Sequence, residues 1–194
     1  VVLPELTPAA LDAAKPVVDA CPAGEKNLPV RWAALLGALG EADTRRVLKR
    51  LRCSNACIEE TAVLVRETAG ESVCRSFSEE KASAHPGDIH LRQLLGRYGL
   101  CTVERLCALC AALHPQNAPA CALAAQRARQ LEADGVCCRV SQLAVNGRDL
   151  MAAGIPAGPA LRRVLEALLD GVIRAEYPNE KPALLAAAQK ISAS

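Results

Sequence analysis

The stretch GRDLMAAGIPAGPALRRVL, residues 147–165, predicts a short helix, a constrained turn and a longer helix. Its turn, GIPAGP at residues 154–159, holds two glycines four positions apart and a proline directly after the second. Pro159 suits the first position of a helix, because its missing N–H would be unpaired there in any case. Two cations, Arg162 and Arg163, follow in the first turn of that helix. The stretch therefore fixes a helix–turn–helix unit with positive charge beside the turn.

The helix after the turn has the clearest amphipathic pattern in the chain. Its apolar residues recur at i, i+3, i+4, i+7, i+8, i+11 and i+12, and its charged residues fall mainly outside that stripe. The apolar positions are Leu161, Val164, Leu165, Leu168, Leu169, Val172 and Ile173. We expect the stripe to face a core, and we expect Asn179 to cap a final helix.

The composition of the whole chain extends this helical pattern in both directions. Hydrophobic residues make up 51% of the 194 residues and aromatic residues only 2%, so a core must consist mainly of Leu, Ala, Val and Cys. That mixture favours packed helices, and the alternation typical of strands never lasts beyond a few positions. The helical segments shorten near Gly135, and residues 71–86 predict an irregular connection. We predict an all-α chain with a multi-helix body, residues 1–134, and a small helical tail, residues 135–194.

A predicted helix in the body carries a group of cations. Spacing places Arg45, Lys49 and Arg52 on one face of it, and Arg46 and Arg50 lie alongside. Because the net charge of the chain is only +2, any binding of a polyanion must depend on such local patches. The group is either a solvated outer face or a polyanion-binding site.

The turn at residues 154–159 also has two interpretations. Gly154 and Gly158 allow the backbone to come close to a ligand or to another helix. The first amides of the following helix, together with its dipole, form an anion site, and Arg162 and Arg163 add donors. The turn either holds a nucleic-acid phosphate, as helix–hairpin–helix elements do, or it is a tight corner that packs two helices.

The sequence offers no set of residues for catalysis or metal binding. Phosphate-binding glycine loops, paired metal-binding carboxylates and H-E-x-x-H are absent from it. Of ten cysteines, Cys107 and Cys110 form a C-x-x-C, but no second such pair completes a zinc site, and both lie on an apolar helical stripe. We predict buried, reduced thiols and a cytoplasmic location. No apolar run approaches the roughly 18 to 20 residues that span a bilayer, so no membrane association is expected.

Residues 141–185 resemble the C-terminal end of bacterial CCA-adding tRNA nucleotidyltransferases of the poly(A) polymerase-like class, also called class II. The resemblance is carried by LAVNGRDL, then GIPAGP, then PNEKPALL, in that order. The segments LPVRWAALLG, RVLKRLRCSNACIEETAVLV and DIHLRQLLGRYG are similar to the helical body of the same family. The likeness therefore covers essentially the whole chain and is strongest in the tail.

The resemblance implies a division of labour within a longer enzyme. In that family a catalytic nucleotidyltransferase head lies upstream and uses Mg²⁺, whereas body and tail are helical and hold tRNA. It implies that this chain needs no cofactor of its own and is inactive without the head. Gly37 and Ala38 stand where relatives often carry His-Asp, so no metal-dependent phosphohydrolase activity is implied. The alternative is a helical interaction or oligomerisation module that does not bind RNA.

Overall fold

The computed structural model of this chain describes residues 3–70, 73–74 and 86–192. Helices and turns make up these ranges, and no strand occurs within them, so the prediction of an all-α fold is confirmed. In chain order the helices are α1 (Pro8–Ala20), α2 (Leu28–Leu36), α3 (Gly40–Arg50), α4 (Asn55–Thr68), α5 (Pro86–Leu113), α6 (Ala118–Ala133), α7 (Gly147–Ala152), α8 (Pro159–Ile173) and α9 (Lys181–Ser192). The irregular connection predicted over residues 71–86 lies mostly outside the described residues.

The chain forms two compact units. The first comprises residues 1–83 and 98–129, and the second comprises residues 84–97 and 130–194. Helix α5 contributes to both units, and it has one non-helical residue, Gly99, at φ 78°. The division into a body and a tail at residue 135 stays a prediction.

The core of the first unit forms where α2, α3 and α4 pack together. One buried cluster of this core consists of Leu6, Leu36, Val47, Leu48 and Ile58. The buried Thr44 hydroxyl donates a hydrogen bond to the Leu36 carbonyl oxygen at 3.3 Å, which ties α3 to the end of α2. Ser54 caps α4 by accepting the Cys57 N–H, as a serine before a helix is expected to do.

The core of the second unit is built on the predicted stripe of α8. Val164, Leu168 and Val172 are buried there, and the other apolar positions of the stripe are buried or pack against it. From α9 come Leu184 and Ala188, which are fully buried. The stripe prediction is therefore confirmed, and the opposite face of α8 is left to charged residues.

Asn179 does not cap α9, contrary to the prediction. Its side-chain Nδ2 donates to the Gln142 carbonyl oxygen at 2.9 Å, and its Oδ1 accepts from the Ala144 N–H at 2.8 Å. Helix α9 begins two residues later, at Lys181. The Asn179 side-chain amide therefore bonds to two backbone groups of a loop, one through its oxygen and one through its nitrogen. As a helix cap it would have used only its oxygen.

The prediction of reduced thiols is wrong for one pair of cysteines. Cys74 and Cys110 are joined by a disulfide, and their Cα separation of 5.2 Å lies within the range that a bridge requires. Cys107, the other member of the C-x-x-C, is buried and is not part of a disulfide. Because Cys74 lies 36 residues before Cys110, spacing along the sequence gave no sign of this pairing.

Candidate functional site

The turn between α7 and α8 is fixed by its backbone. The Ile155 N–H donates to the Leu150 carbonyl oxygen at 3.1 Å, and the Gly154 N–H donates to that of Met151 at 3.0 Å. These bonds close α7 and place the Ile155 side chain in the core, where it is 4% exposed. The turn therefore has a rigid, anchored start.

Both glycines of the turn are required by their backbone angles. Gly154 has φ 94° and Gly158 has φ 110° with ψ −150°, a region that only glycine adopts readily. A Cβ atom on either residue would meet nothing within 4 Å. Of the two roles predicted for these glycines, close approach to another helix is thus not seen among the described residues. The space beside both is open.

The start of α8 leaves backbone donors available. Pro159 occupies the first helical position, no side chain caps the helix, and the first helical bond runs from the Arg162 N–H to the Gly158 carbonyl oxygen. The N–H groups of Ala160 and Leu161 therefore have no helical partner, as is usual for a first turn. With the positive end of the helix dipole, they make a local anion site.

The two predicted cations of this site differ in their surroundings. Arg162 is 82% exposed and its Nε donates to Glu166 Oε1 at 2.8 Å, one turn along the same helix, which raises the pKa of the guanidinium. Arg163 is exposed and has no hydrogen bond or ion pair with any residue in the described ranges. Arg163 is therefore the cation of this turn that is free to take a new partner.

Helix α7, which precedes the turn, begins with a capping box. The Asn146 side chain accepts the N–H groups of Arg148 and Asp149, and Asp149 Oδ2 accepts the Asn146 N–H at 3.0 Å. Lys181 Nζ donates to Asp149 Oδ1 at 2.6 Å and ties α9 to this helix start. The Lys181 bond and the Asn146 amide lower the pKa of the Asp149 carboxyl.

The cations of α3 are mostly paired with acids. Arg45 bonds to Glu59 and to Glu41, and its bond to Glu59 raises the pKa of the guanidinium and lowers that of the carboxyl. Arg50 bonds to Glu5, whose pKa is lowered as a result. A further pair joins Arg46 Nη2 to Asp43 Oδ1 at 2.9 Å. Lys49 and Arg52 are exposed and make no hydrogen bond or ion pair within the described ranges, although the charge of Lys49 helps to lower the pKa of the Glu59 carboxyl.

Arg52 does not lie on the helical face predicted for it. Helix α3 ends at Arg50, and Arg52 has φ 58°, in the left-handed region. The Cys53 N–H reaches back to the Leu48 carbonyl oxygen at 3.0 Å, which is the closing bond of a Schellman motif. The chain has to turn here to reach the Ser54 cap of α4, and the predicted stripe of cations is one residue shorter as a consequence.

Sequence reasoning missed a cation that the fold brings to Arg162. Arg139 lies in a short loop before a 3₁₀ turn, Val140–Gln142, and it lines the same cleft as Arg162. The two residues are distant in the sequence and share no helix, so no periodicity connects them.

The described residues show no centre for metal chemistry. No group of three or more His, Cys, Asp or Glu side chains among them could hold a metal ion. None of the helices in the described ranges is long and apolar enough to cross a membrane. The arrangement of the second unit favours binding of an anion at a backbone turn.

Comparison with known proteins gives two matches and one negative result. A family model for tRNA nucleotidyltransferase domain 2 matches residues 92–188, which is half of the chain. Over 45 residues, 23% of the chain, the sequence is 56% identical to the CCA-adding enzyme of Levilactobacillus brevis. Those residues are 11% of that protein, so the chain matches only a small part of it. No solved structure matches the chain.

Proposed function

We propose that this chain, which belongs to the tRNA nucleotidyltransferase domain 2 family, is the tRNA-binding C-terminal part of a CCA-adding enzyme. It holds tRNA so that a catalytic head, carried by a separate domain with its Mg²⁺, extends the 3′ end with CTP and ATP. Its share of the catalysis is positioning, because holding two reactants in register supplies much of a rate enhancement without any chemical group.

The observation that carries the proposal is the open turn at residues 154–159. The Ala160 and Leu161 amides at the start of α8 have no helical partner, and the exposed Arg163, which makes no hydrogen bond or ion pair within the described ranges, follows two residues after Leu161 in the same helix. A phosphate group satisfies such donors without any change in the protein. The same turn has an anchored start at Ile155, so little order has to be gained when a phosphate binds.

Recognition in this proposal is by RNA shape and phosphate. The full chain has only four aromatic residues, Trp32, Phe77, Tyr98 and Tyr177. Stacking of unpaired bases on aromatic rings is the usual route to sequence-specific RNA binding, and this chain has few rings to offer. We therefore expect tRNA to be distinguished by the form of its folded duplex and by where its phosphates lie.

The test is a salt titration of tRNA binding by the full chain. We expect affinity to fall steeply with salt and to depend little on base sequence, because counterion release gives a log–log slope of about −0.9 for each phosphate contact in a duplex. Fluorescence anisotropy with a labelled tRNA transcript and a scrambled-sequence hairpin measures both quantities. Absence of tRNA binding at low salt, with a stable dimer in sedimentation, would favour the interaction module instead.

The same preparation tests whether nucleotidyl transfer depends on the separate catalytic head. We expect no extension of tRNA that lacks its terminal nucleotides when CTP, ATP and Mg²⁺ or Mn²⁺ are supplied, because nucleotidyl transfer needs paired metal-binding carboxylates. Among the described residues, no group of three or more His, Cys, Asp or Glu side chains could hold a metal ion. Incorporation of labelled nucleotide that follows this polypeptide through purification would contradict the proposal.

A further inference from the structure

A cleft in the second unit brings together arginines from three different segments. Its volume is about 770 Å³, and its walls are the part of α5 that belongs to the second unit, the loop at residues 138–141, and α8. One arginine comes from each wall, namely Arg97, Arg139 and Arg162. Cleft volumes between about 300 and 1,000 Å³ are typical of ligand sites.

The walls of the cleft are locked to one another. The Arg92 guanidinium on α5 donates to the Ile173 carbonyl oxygen at 3.0 Å and to the Cys137 carbonyl oxygen at 2.9 Å. It thereby joins all three walls through backbone groups. Gln93 Nε2 adds a bond to Asp170 Oδ1 at 3.1 Å. The cleft is therefore formed before any ligand arrives.

Close backbone contact also contributes to this rigidity. Gly96 of α5 faces the Cys138 carbonyl so closely that a Cβ atom on Gly96 would overlap the oxygen. Only a residue without a side chain allows the loop to lie this near to the helix. Arg97 and Arg139 are the neighbours of these two residues, so the contact fixes the backbone from which both arginines project.

Two of the three arginines of the cleft are held loosely. Arg162 is 82% exposed in its pair with Glu166, and Arg139 Nη2 lies 3.5 Å from Glu132 Oε1 with both side chains about two-fifths exposed. Exposed pairs of this kind contribute at most about 1 kcal/mol, so Arg139 and Arg162 can exchange their carboxylate partners for another anion. Asp170, the other acid of the cleft, already accepts bonds from Gln93 and from Arg174.

We propose that this cleft receives the phosphodiester backbone of the bound RNA, with Arg97, Arg139 and Arg162 as its phosphate contacts. The inference rests on the proposed function and extends it, because it adds two residues and a surface to the turn at residues 154–159. Arg162 belongs to both places, so the RNA backbone runs from the start of α8 into the cleft. Arginine suits this role because its planar fork binds two phosphate oxygens at once.

The test uses two variants of the full chain that act in opposite directions. Arg97→Gln with Arg139→Gln is expected to weaken tRNA binding on the order of tenfold at 0.1 M salt and to reduce the salt slope by about two. Glu166→Gln is expected to strengthen binding about fivefold, because it removes a like charge near the phosphate and releases Arg162. Arg129→Gln is the matched control, since Arg129 is an exposed arginine paired with Glu104 in the first unit.

Three results are decisive, each with helical circular dichroism as a check on folding. A double variant and a Glu166→Gln variant that both bind like the wild type, which itself binds tRNA, overturn the cleft and leave the proposed function standing. Wild-type protein that does not bind tRNA overturns both. Displacement of tRNA by millimolar ATP or inorganic phosphate, lost in the double variant, would show a site for free phosphates and overturn the assignment to RNA.

Discussion

The α3 helix and the α7–α8 turn both present several cations, yet the fold treats them differently. On α3, acids reach Arg45 and Arg50 from outside the helix, namely Glu59 on α4 and Glu5 before α1. At the turn, Arg162 has only a partner on its own helix, and Arg163 has none among the described residues. A row of cations in a sequence therefore does not define an anion site, because acids that are distant in the chain decide which cations remain available.

The backbone sharpens this difference. Helix α3 begins at Gly40 with Glu41 and Asp43 in its first turn, and these carboxylates complement the positive end of its own dipole. Helix α8 has no acidic residue in its first turn and no side-chain cap. The start of α3 is thus already neutralised by its own residues, whereas the start of α8 is open to an anion from elsewhere.

The largest effect is expected at the turn. Replacing Arg162 and Arg163 by Ala should weaken tRNA binding on the order of fiftyfold at 0.1 M salt and reduce the salt slope by about two. Both side chains are exposed, so the free energy of unfolding should change by no more than about 0.5 kcal/mol for each. Anisotropy titrations and urea unfolding measure the two quantities on the same samples.

A backbone variant tests the same turn without removing either arginine. Gly158→Val keeps both arginines but cannot easily hold φ 110°, so it should weaken binding by disturbing the amides at the start of α8. Lost stability together with an unchanged salt slope would show that the turn is a packing corner. A double arginine variant that binds like the wild type at every salt concentration would lead to the same conclusion.

A smaller effect is expected on α3. Lys49→Gln with Arg52→Gln should weaken tRNA binding only about threefold, because the helix start that follows them in the chain, that of α4, is already capped by the Ser54 side chain. Arg45→Gln with Arg50→Gln should change the affinity by less than about twofold, since their charge is already matched by acids. If the second pair weakens binding as much as the turn variant does, the contrast between α3 and the turn is wrong.

The sequence predicted most of the second unit because local rules act there. The apolar stripe of α8, Pro159 at its first position and the two turn glycines depend on neighbours within a few residues. Where a side chain bonds far along the chain, prediction was wrong. Asn179 bonds to the backbone of Gln142 and Ala144, and Cys110 forms a disulfide with Cys74. No sequence pattern near Asn179 or Cys110 indicates these partners.

The candidate site divides in the same way. Arg162 and Arg163 follow from the motif, whereas Arg139 enters the cleft only through the fold. The pairing of Arg45 with Glu59 is equally invisible to helical spacing, because spacing describes one helix and the acid belongs to the next. A local sequence pattern thus locates cations, and only the tertiary structure shows which of them already form ion pairs with acidic side chains.

The smallest effect concerns how the two compared helices end. Helix α8 ends at Ile173 and Arg174 is its C-cap; the next residue, Ala175, has φ 59°, and the Glu176 N–H closes the helix end by donating to the Gly171 carbonyl oxygen. A left-handed backbone angle costs an L-residue roughly 1–2 kcal/mol, and glycine removes this strain. Part of the gain is offset because glycine also gives the unfolded chain more conformational freedom. Ala175→Gly should therefore stabilise the chain by about 0.5–1 kcal/mol. Ala186→Gly, the same change at an exposed site within α9, should destabilise it by about 1 kcal/mol.

Arg52→Gly makes the same backbone change at the end of α3 and also removes a cation. With φ 58° at this position, the variant should gain the same 0.5–1 kcal/mol that glycine gives at Ala175. For a chain of this length, that gain corresponds to a rise in melting temperature of about 2 °C.

If Arg52 contacts RNA, the Arg52→Gly variant should melt higher and bind tRNA more weakly, whereas Ala175→Gly should melt higher and bind tRNA unchanged. Thermal melts and salt titrations of the two variants, compared side by side, separate the stability of a helix end from the charge it carries. Equal binding by both variants would remove Arg52 from the RNA surface and leave Lys49 as the available cation of α3.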